Sequence, residues 1–446
     1  MVSRKRFAAA LVVALALFVV ACGGSDNGGG GGGGGGGAST SASQDTGVTK
    51  GVKQAPTLDA SKDATGNVTF CLGKDTSGNQ TAAVKKFNAK FKAQGLSAKL
   101  LEFPTSADEQ RNQFVQRQEA KSPECDVFFS DVIWTAEFAA QKWLLDMTDY
   151  VNSRKAEFIP STLETIHFDN KYFGVPQASD AALMYYRTDK VSGVPQTWQQ
   201  LYSEAGSKGG IVYQGASYEG LTCDYLELAF AAGGKVLSDD GKKSAINSPQ
   251  NLKALQFMVD GVKNGDAPKA VTTYMEEESR RSFESGKPAF MRNWSYAYAL
   301  GNAKGSKVAK KFKVAPFPTF EGGTSAAVLG GHNLVVSSFS KNPKGAVTLI
   351  DYLTSPETEK VNAAQFSITP TLSETYSDPE VQKAMPFADA LKKNVEAAHA
   401  RPVSPVYPQI SQAIYKNVNN ALSGQASTDD AVKKMQAGIE KALSSF

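Results

Sequence analysis

Hydrophobic and polar positions along this chain fall into three successive patterns. Residues 7–20 are one uninterrupted apolar run, entered through Arg4, Lys5 and Arg6. From Cys22 to about Thr65 large apolar side chains nearly vanish, and residues 28–37 are pure glycine. Beyond Gly66, short apolar runs of strand length alternate with apolar positions three and four apart. Val68-Thr69-Phe70-Cys71-Leu72 predicts a first strand, residues 98–103 a second and Asp126-Val127-Phe128-Phe129 a third. Between them Val84, Phe87 and Phe91 mark one helix face, and Ser106 or Asp108 starts another helix. Ser248-Pro249 opens a helix that turns Leu252, Leu255, Val259 and Val262 inward and stops near Asn264-Gly265. Asn342-Pro343 opens a further one, and Val432, Met435, Ile439 and Leu443 define the face of a C-terminal helix. This alternation predicts α/β layers. Roughly 380 residues follow Gly66, more than one core normally serves, so two lobes are expected.

The apolar run is too short to cross a bilayer core as a stable helix. A basic start, a short apolar stretch and a small residue before Cys22 predict a secretory signal over residues 1–21. Val19-Val20-Ala21-Cys22 resembles the lipobox of bacterial lipoproteins. That resemblance implies lipid on Cys22 and a place on the extracytoplasmic face of the bacterial cell membrane. Residues 22–65 predict a Gly/Ser-rich tether that cannot bury apolar surface. Its ~43 residues after Cys22 give an r.m.s. reach of about 35 Å.

Removing Arg4, Lys5 and Arg6 with the signal takes the 48 basic residues to 45, against 44 acidic. A nearly neutral chain without a basic tail argues against nucleic acid. Cys71 in the first strand and Cys125 before the third can bridge if those strands are neighbours. Such a bridge closes a loop of about 54 residues and is worth on the order of 4 kcal/mol. Two free buried thiols are the other reading. Cys223 is expected to be a buried free thiol.

Signals for catalysis are missing. His167, His332 and His399 are the three histidines, without metal-ligand spacing. No nucleophile elbow, phosphate loop or dinucleotide fingerprint occurs. A binding protein is expected, not an enzyme, with no cofactor and no metal. A surface glycoside hydrolase stays as a rival, because many acids here could supply a carboxylate pair.

A set of segments in order carries a likeness: Gly174-Val175-Pro176 with Asp180, Tyr185-Tyr186-Arg187-Thr188-Asp189, Tyr218-Glu219-Gly220-Leu221, Phe290-Met291-Arg292-Asn293-Trp294, Leu329-Gly330-Gly331-His332-Asn333 and Ala400-Arg401-Pro402. From about Val68 onward the chain resembles the extracellular sugar-binding lipoproteins of ABC importers, of the trehalose/maltose-binding type. The resemblance implies a two-lobed, maltose-binding-protein-like periplasmic-binding-protein fold (type II). Hinge crossings are expected near residues 176–180, 316–319 and 367–371. Lobe 1 would comprise residues 66–177 and 320–366, and lobe 2 residues 178–319 and 367–446. The implied function is capture of an α-linked disaccharide or short oligosaccharide by lobe closure. Delivery would be to permease subunits driven by a cytoplasmic ATPase, from a monomeric receptor. A receptor for a polyamine or a polyol phosphate is the alternative.

Sugars offer hydroxyls to charged acceptors and an apolar C–H face to aromatic rings. Asp131, after the third strand, is a ligand contact or an Asx-type helix cap; Trp134 stands beside it. By resemblance Asn79 and Gln80 face ligand from the turn after strand one, Gln80 standing where the family often has an acid. A solvated first-turn position is the other reading of Gln80. Asp180 takes sugar hydroxyls or a hinge salt bridge; Glu219 takes ligand or caps a helix. Trp294 is a stacking platform or core. Gly330 and Gly331 admit the ligand to the backbone. His332 replaces a frequent Trp and gives a hydrogen-bonding, partly pH-sensitive contact. Arg401 clamps an acid or hydroxyls, or lies in a surface salt bridge.

Overall fold

A computed structural model of the protein describes residues 47–445. The signal, Cys22 and the tether up to residue 46 lie outside the described residues. The first three strands are Gly66–Leu72 (β1), Leu96–Glu102 (β2) and Val127–Asp131 (β3). β1 runs parallel to both β2 and β3. A small ribbon of His167–Phe168 (β4) and Lys171–Tyr172 (β5) precedes Val175–Ala181 (β6). Leu183–Arg187 (β7), Ile211–Val212 (β8), Phe290–Asn293 (β9) and Phe312–Ala315 (β10) form a second sheet in the order β10-β7-β9-β8. Leu329–Val336 (β11) then returns to the first sheet, whose order is β2-β1-β3-β11-β6. It lies antiparallel to β3 and β6. A single residue, Ala182, separates β6 in one sheet from β7 in the other.

Each sheet buries its own core. Val68, Phe70, Phe87, Val127 and Ile350 pack around the first sheet, with an aromatic satellite of Phe114, Phe128, Trp134 and Phe138. Leu183, Tyr185, Leu226, Met258, Phe290 and Ile414 belong to the core of the second. Helix signals placed their elements well. The Ser248 hydroxyl accepts from the Asn251 amide at the head of helix Pro249–Asn264. The Asn342 side chain accepts from Gly345 at the head of helix Pro343–Leu353. Helix Thr428–Leu443 buries Val432, Met435 and Ile439.

Two boundaries moved toward the functional residues. Asp131 is the last residue of β3 rather than the first beyond it, because it still pairs with His332 on β11. Asn79 and Gln80 are the first two residues of helix Asn79–Lys90. The Asp75 carboxylate caps that helix, accepting from the amides of Gly78 at 3.1 Å and Thr81 at 2.8 Å. Cys71 and Cys125 are bridged, with Cα atoms 5.8 Å apart. Cys223 is free and buried.

Candidate functional site

The site grows from one line across the first sheet. In register, Asp131 of β3 faces His332 of β11, which faces Ala178 of β6. One and two residues earlier on β11, Gly331 faces Ser179 and Gly330 faces Asp180. Strand pairing therefore brings together five expected site positions, Asp131, Asp180, Gly330, Gly331 and His332, drawn from three distant parts of the chain.

Arg401 ties this line to the second lobe. Its Nη2 donates to Asp131 Oδ1 and to the Leu329 carbonyl, both at 3.3 Å, and its Nη1 donates to Glu219 Oε1 at 2.7 Å. Glu219 also accepts from the Tyr407 hydroxyl at 2.6 Å and from the Ser411 hydroxyl. Arg401 and Glu219 are each 5 % exposed, so this is a buried ion triad and not a surface salt bridge. Burial pushes the Glu219 carboxyl up to about 7, although Arg401 opposes the shift. Asp131 Oδ1 also accepts from the Ile133 amide at 3.2 Å, the local turn contact expected of an Asx-type cap. Arg401 Nε is buried and has no hydrogen-bond partner among the described residues.

His332 stacks flat on Phe129, with ring centroids 4.1 Å apart and planes 6° apart. Burial holds its pKa below the ordinary imidazole range, with Asp131 opposing. A neutral imidazole near neutral pH follows, which narrows the expected pH sensitivity.

Trp294 is half-buried and lies against Gly330, where a Cβ would stand 2.8 Å from the indole. Gly331 has φ +109°, and a Cβ there would meet the Ala178 carbonyl at 2.0 Å. The lack of side chains at this pair also serves the protein itself. Gly330 makes room for an indole and Gly331 for the backbone of β6.

The Asp180 carboxylate is occupied at the hinge. It accepts from the Ser295 amide and hydroxyl at 3.1 and 3.0 Å and from the Thr369 hydroxyl at 2.9 Å. Burial raises its pKa, these donors opposing. No ion pair forms at Asp180 among the described residues, so hydroxyl and amide donors hold it in place of the hinge salt bridge.

Gln80 is 2 % exposed and Asn79 4 %, which removes the solvated first-turn reading of Gln80. Gln80 Nε2 donates to Gln177 Oε1 at 3.2 Å, and the Ser77 hydroxyl donates to Asn79 Oδ1 at 2.7 Å.

Trp134 is a correction. It is 1 % exposed and packs edge-on against Phe114 at 5.4 Å and beside Phe138 at 5.9 Å, inside the first lobe. Its neighbour Asp131 points into the charged cluster while the indole turns into the core. Sequence reasoning also missed Gln177, Tyr407 and Ser411. Tyr407 and Ser411 stand four apart on one helix, a visible spacing with no clue to its partner.

Sequence comparison then decides the class of the molecule. The bacterial extracellular solute-binding protein family matches residues 73–360. The chain belongs to that family. This solute-binding protein is 35 % identical over 396 residues to a probable ABC transporter-binding protein of Deinococcus radiodurans, covering 84 % of this chain and 93 % of the relative. A maltotriose-binding protein of Pyrococcus abyssi is 24 % identical over 331 residues, covering 71 % of this chain and 70 % of that one. Among solved structures, maltose-bound MalE3 of T. maritima superposes with a TM-score of 0.80 at 34 % identity, covering 84 % of this chain and 99 % of the other. The solute-binding protein therefore has the type II, maltose-binding-protein-like fold. Members of this family work outside the cytoplasm, and their role is binding rather than catalysis.

Proposed function

We propose that this protein is the receptor of an ABC importer for a neutral α-linked disaccharide or short oligosaccharide. It holds the sugar between two lobes, closes on it and passes it unchanged to permease subunits with a cytoplasmic ATPase. The reading includes a lipid anchor on Cys22, a trehalose- or maltose-like ligand and the lobe boundaries given by the three hinge crossings. Similarity to maltose-bound MalE3 and to a maltotriose-binding protein supports the ligand class.

One observation carries the reading. Arg401 bonds the carbonyl of Leu329 while the indole of Trp294 abuts the next residue, Gly330. A charged hydrogen-bonding cluster and an aromatic face thus meet on successive residues of β11, which suits a molecule with hydroxyls on its rim and C–H groups on its face. The acids Asp131 and Glu219 each already engage Arg401, so neither carboxylate stands unpaired for a polyamine ammonium.

Fluorescence titration with trehalose, maltose, maltotriose, spermidine and a polyol phosphate tests the proposal. Saturable binding of a sugar, weakened at least about tenfold by Trp294→Ala, is expected. Silence toward every sugar alongside binding of spermidine or the phosphate would retire it.

A further inference from the structure

Beneath Trp294 lies a buried cation that the binding reading above does not use. Arg292, on β9, is 1 % exposed, and its guanidinium carbon stands 4.0 Å from the centroid of the Trp294 ring. That guanidinium is fixed on its other sides. Nε and Nη2 donate to the two oxygens of Glu227 at 3.1 and 2.5 Å, and Nη1 donates to Gln214 Oε1 at 2.7 Å. Gln214 is itself held, donating to the Ser279 hydroxyl at 2.6 Å and to the Arg292 carbonyl at 3.2 Å. Asp224 Oδ1 sits 3.6 Å from Arg292 Nε.

A buried ion pair of this kind is expensive to desolvate, and an apolar side chain of similar size would pack there at lower cost. What an apolar chain would not supply is a flat, charged plane locked in one orientation against an aromatic face. The indole of Trp294 is thereby confined: Arg292 covers the ring and the backbone of Gly330 meets its edge. The Tyr185 hydroxyl also holds the Trp294 carbonyl at 2.6 Å.

We infer that Arg292 is a positioning residue which, pinned by Glu227 and Gln214, sets the plane of the Trp294 indole against which a sugar ring stacks. The inference rests on the reading of Trp294 as that stacking surface. It carries a consequence for selectivity. A ring whose π system already faces one cation attracts a second one poorly. The platform therefore favours neutral rings over amino sugars.

The test uses the full chain and maltose. With 5-fluorotryptophan incorporated at the four tryptophans, the Trp294 resonance is assigned by its loss in Trp294→Phe. Arg292→Lys should shift and broaden that resonance in ligand-free protein and leave those of Trp134, Trp143 and Trp198 in place. The same substitution should weaken maltose binding about tenfold beside an intact Trp294, yet less than about twofold in a Trp294→Ala background. Because Lys leaves Glu227 under-bonded, the pair Arg292→Met with Glu227→Gln is measured alongside and should behave as Arg292→Lys does. An unmoved Trp294 resonance, or equal losses in both backgrounds, would make Arg292 a packing residue and overturn the proposal while leaving the stacking reading intact. Maltose binding untouched by Trp294→Ala alone would bring down the stacking reading and this proposal with it.

Discussion

Trp134 and Trp294 look alike in the sequence: each follows a strand within three residues and precedes a hydroxyl residue, Thr135 or Ser295. The fold treats them oppositely. Trp134 is wrapped by Phe114 and Phe138, near a disulfide, in a cluster that is apolar throughout. Trp294 lies on a guanidinium and against a glycine, with a row of hydrogen-bonded polar groups behind it. A tryptophan enclosed by rings contributes stability. One backed by a fixed polar scaffold and left half-open is, on the proposed function, the face offered to the sugar. The contrast separates two currencies, folding and binding, that a sequence motif does not distinguish.

The sharpest way to break the contrast is to truncate both indoles. Trp134→Ala should destabilise the protein by about 3–5 kcal/mol through the cavity it leaves. Urea unfolding measures this, and maltose affinity of the folded fraction should change less than about threefold. Trp294→Ala should do the reverse, costing about 1 kcal/mol of stability, typical of a partly exposed position, while impairing binding. Equal losses of stability from both would show that the second tryptophan is core as well.

The charged cluster gives a second, smaller test. Glu219 titrates near 7 in the folded protein against an ordinary 4.5, because burial disfavours its charged form. Between those values the folded state keeps a proton that the unfolded state has released. This contribution is therefore complete below about pH 4.5 and fades as the pH rises toward 7. Stability should fall by about 1 kcal/mol per pH unit within that window from this group. Glu359, buried beside Thr371 and likewise raised to about 7, adds a parallel slope. Glu219→Gln should flatten the dependence of the melting temperature on pH by its own share. A slope unchanged by that substitution would mean that Arg401 keeps Glu219 ionised throughout.

Much of this arrangement was legible in the chain, and what was hidden has a common cause. Helix heads such as Ser248-Pro249 and Asn342-Pro343 are local, made by bonds across three residues, so their signals suffice. The Cys71–Cys125 bridge was readable because both ends sit at recognisable strands. Asp131, His332, Gly330 and Arg401 could be gathered only through resemblance, since strand register and a salt bridge across 270 residues bring them together. Trp134 misled because its edge-on partner, Phe114, lies on a separate helix, Ala107–Glu119, whose approach no spacing encodes. Arg292 went unremarked for a related reason. Its acid comes from Glu227, 65 residues away in another element.

Asp108 tests the join between the two regions. It lies in the first turn of helix Ala107–Glu119, on the first-lobe side. Its Oδ2 accepts from the Glu219 amide at 3.0 Å, and its Oδ1 accepts from the Tyr415 hydroxyl at 3.2 Å. Glu219 heads helix Glu219–Ala231, whose own preceding residue, Tyr218, supplies no side-chain cap. One lobe thus caps a helix of the other. If closure accompanies binding, this contact belongs to the closed state alone, and removing it must weaken every ligand by the same factor. Asp108→Ala should raise dissociation constants about fivefold, the equivalent of losing a helix cap, with the ratio between any two sugars preserved. Trp294→Ala should alter those ratios, since rings and open chains use the indole differently. Isothermal titration of the two variants against the same sugars separates a contact that closes the lobes from one that chooses the guest. Ratios that shift in Asp108→Ala would place that carboxylate in the site itself.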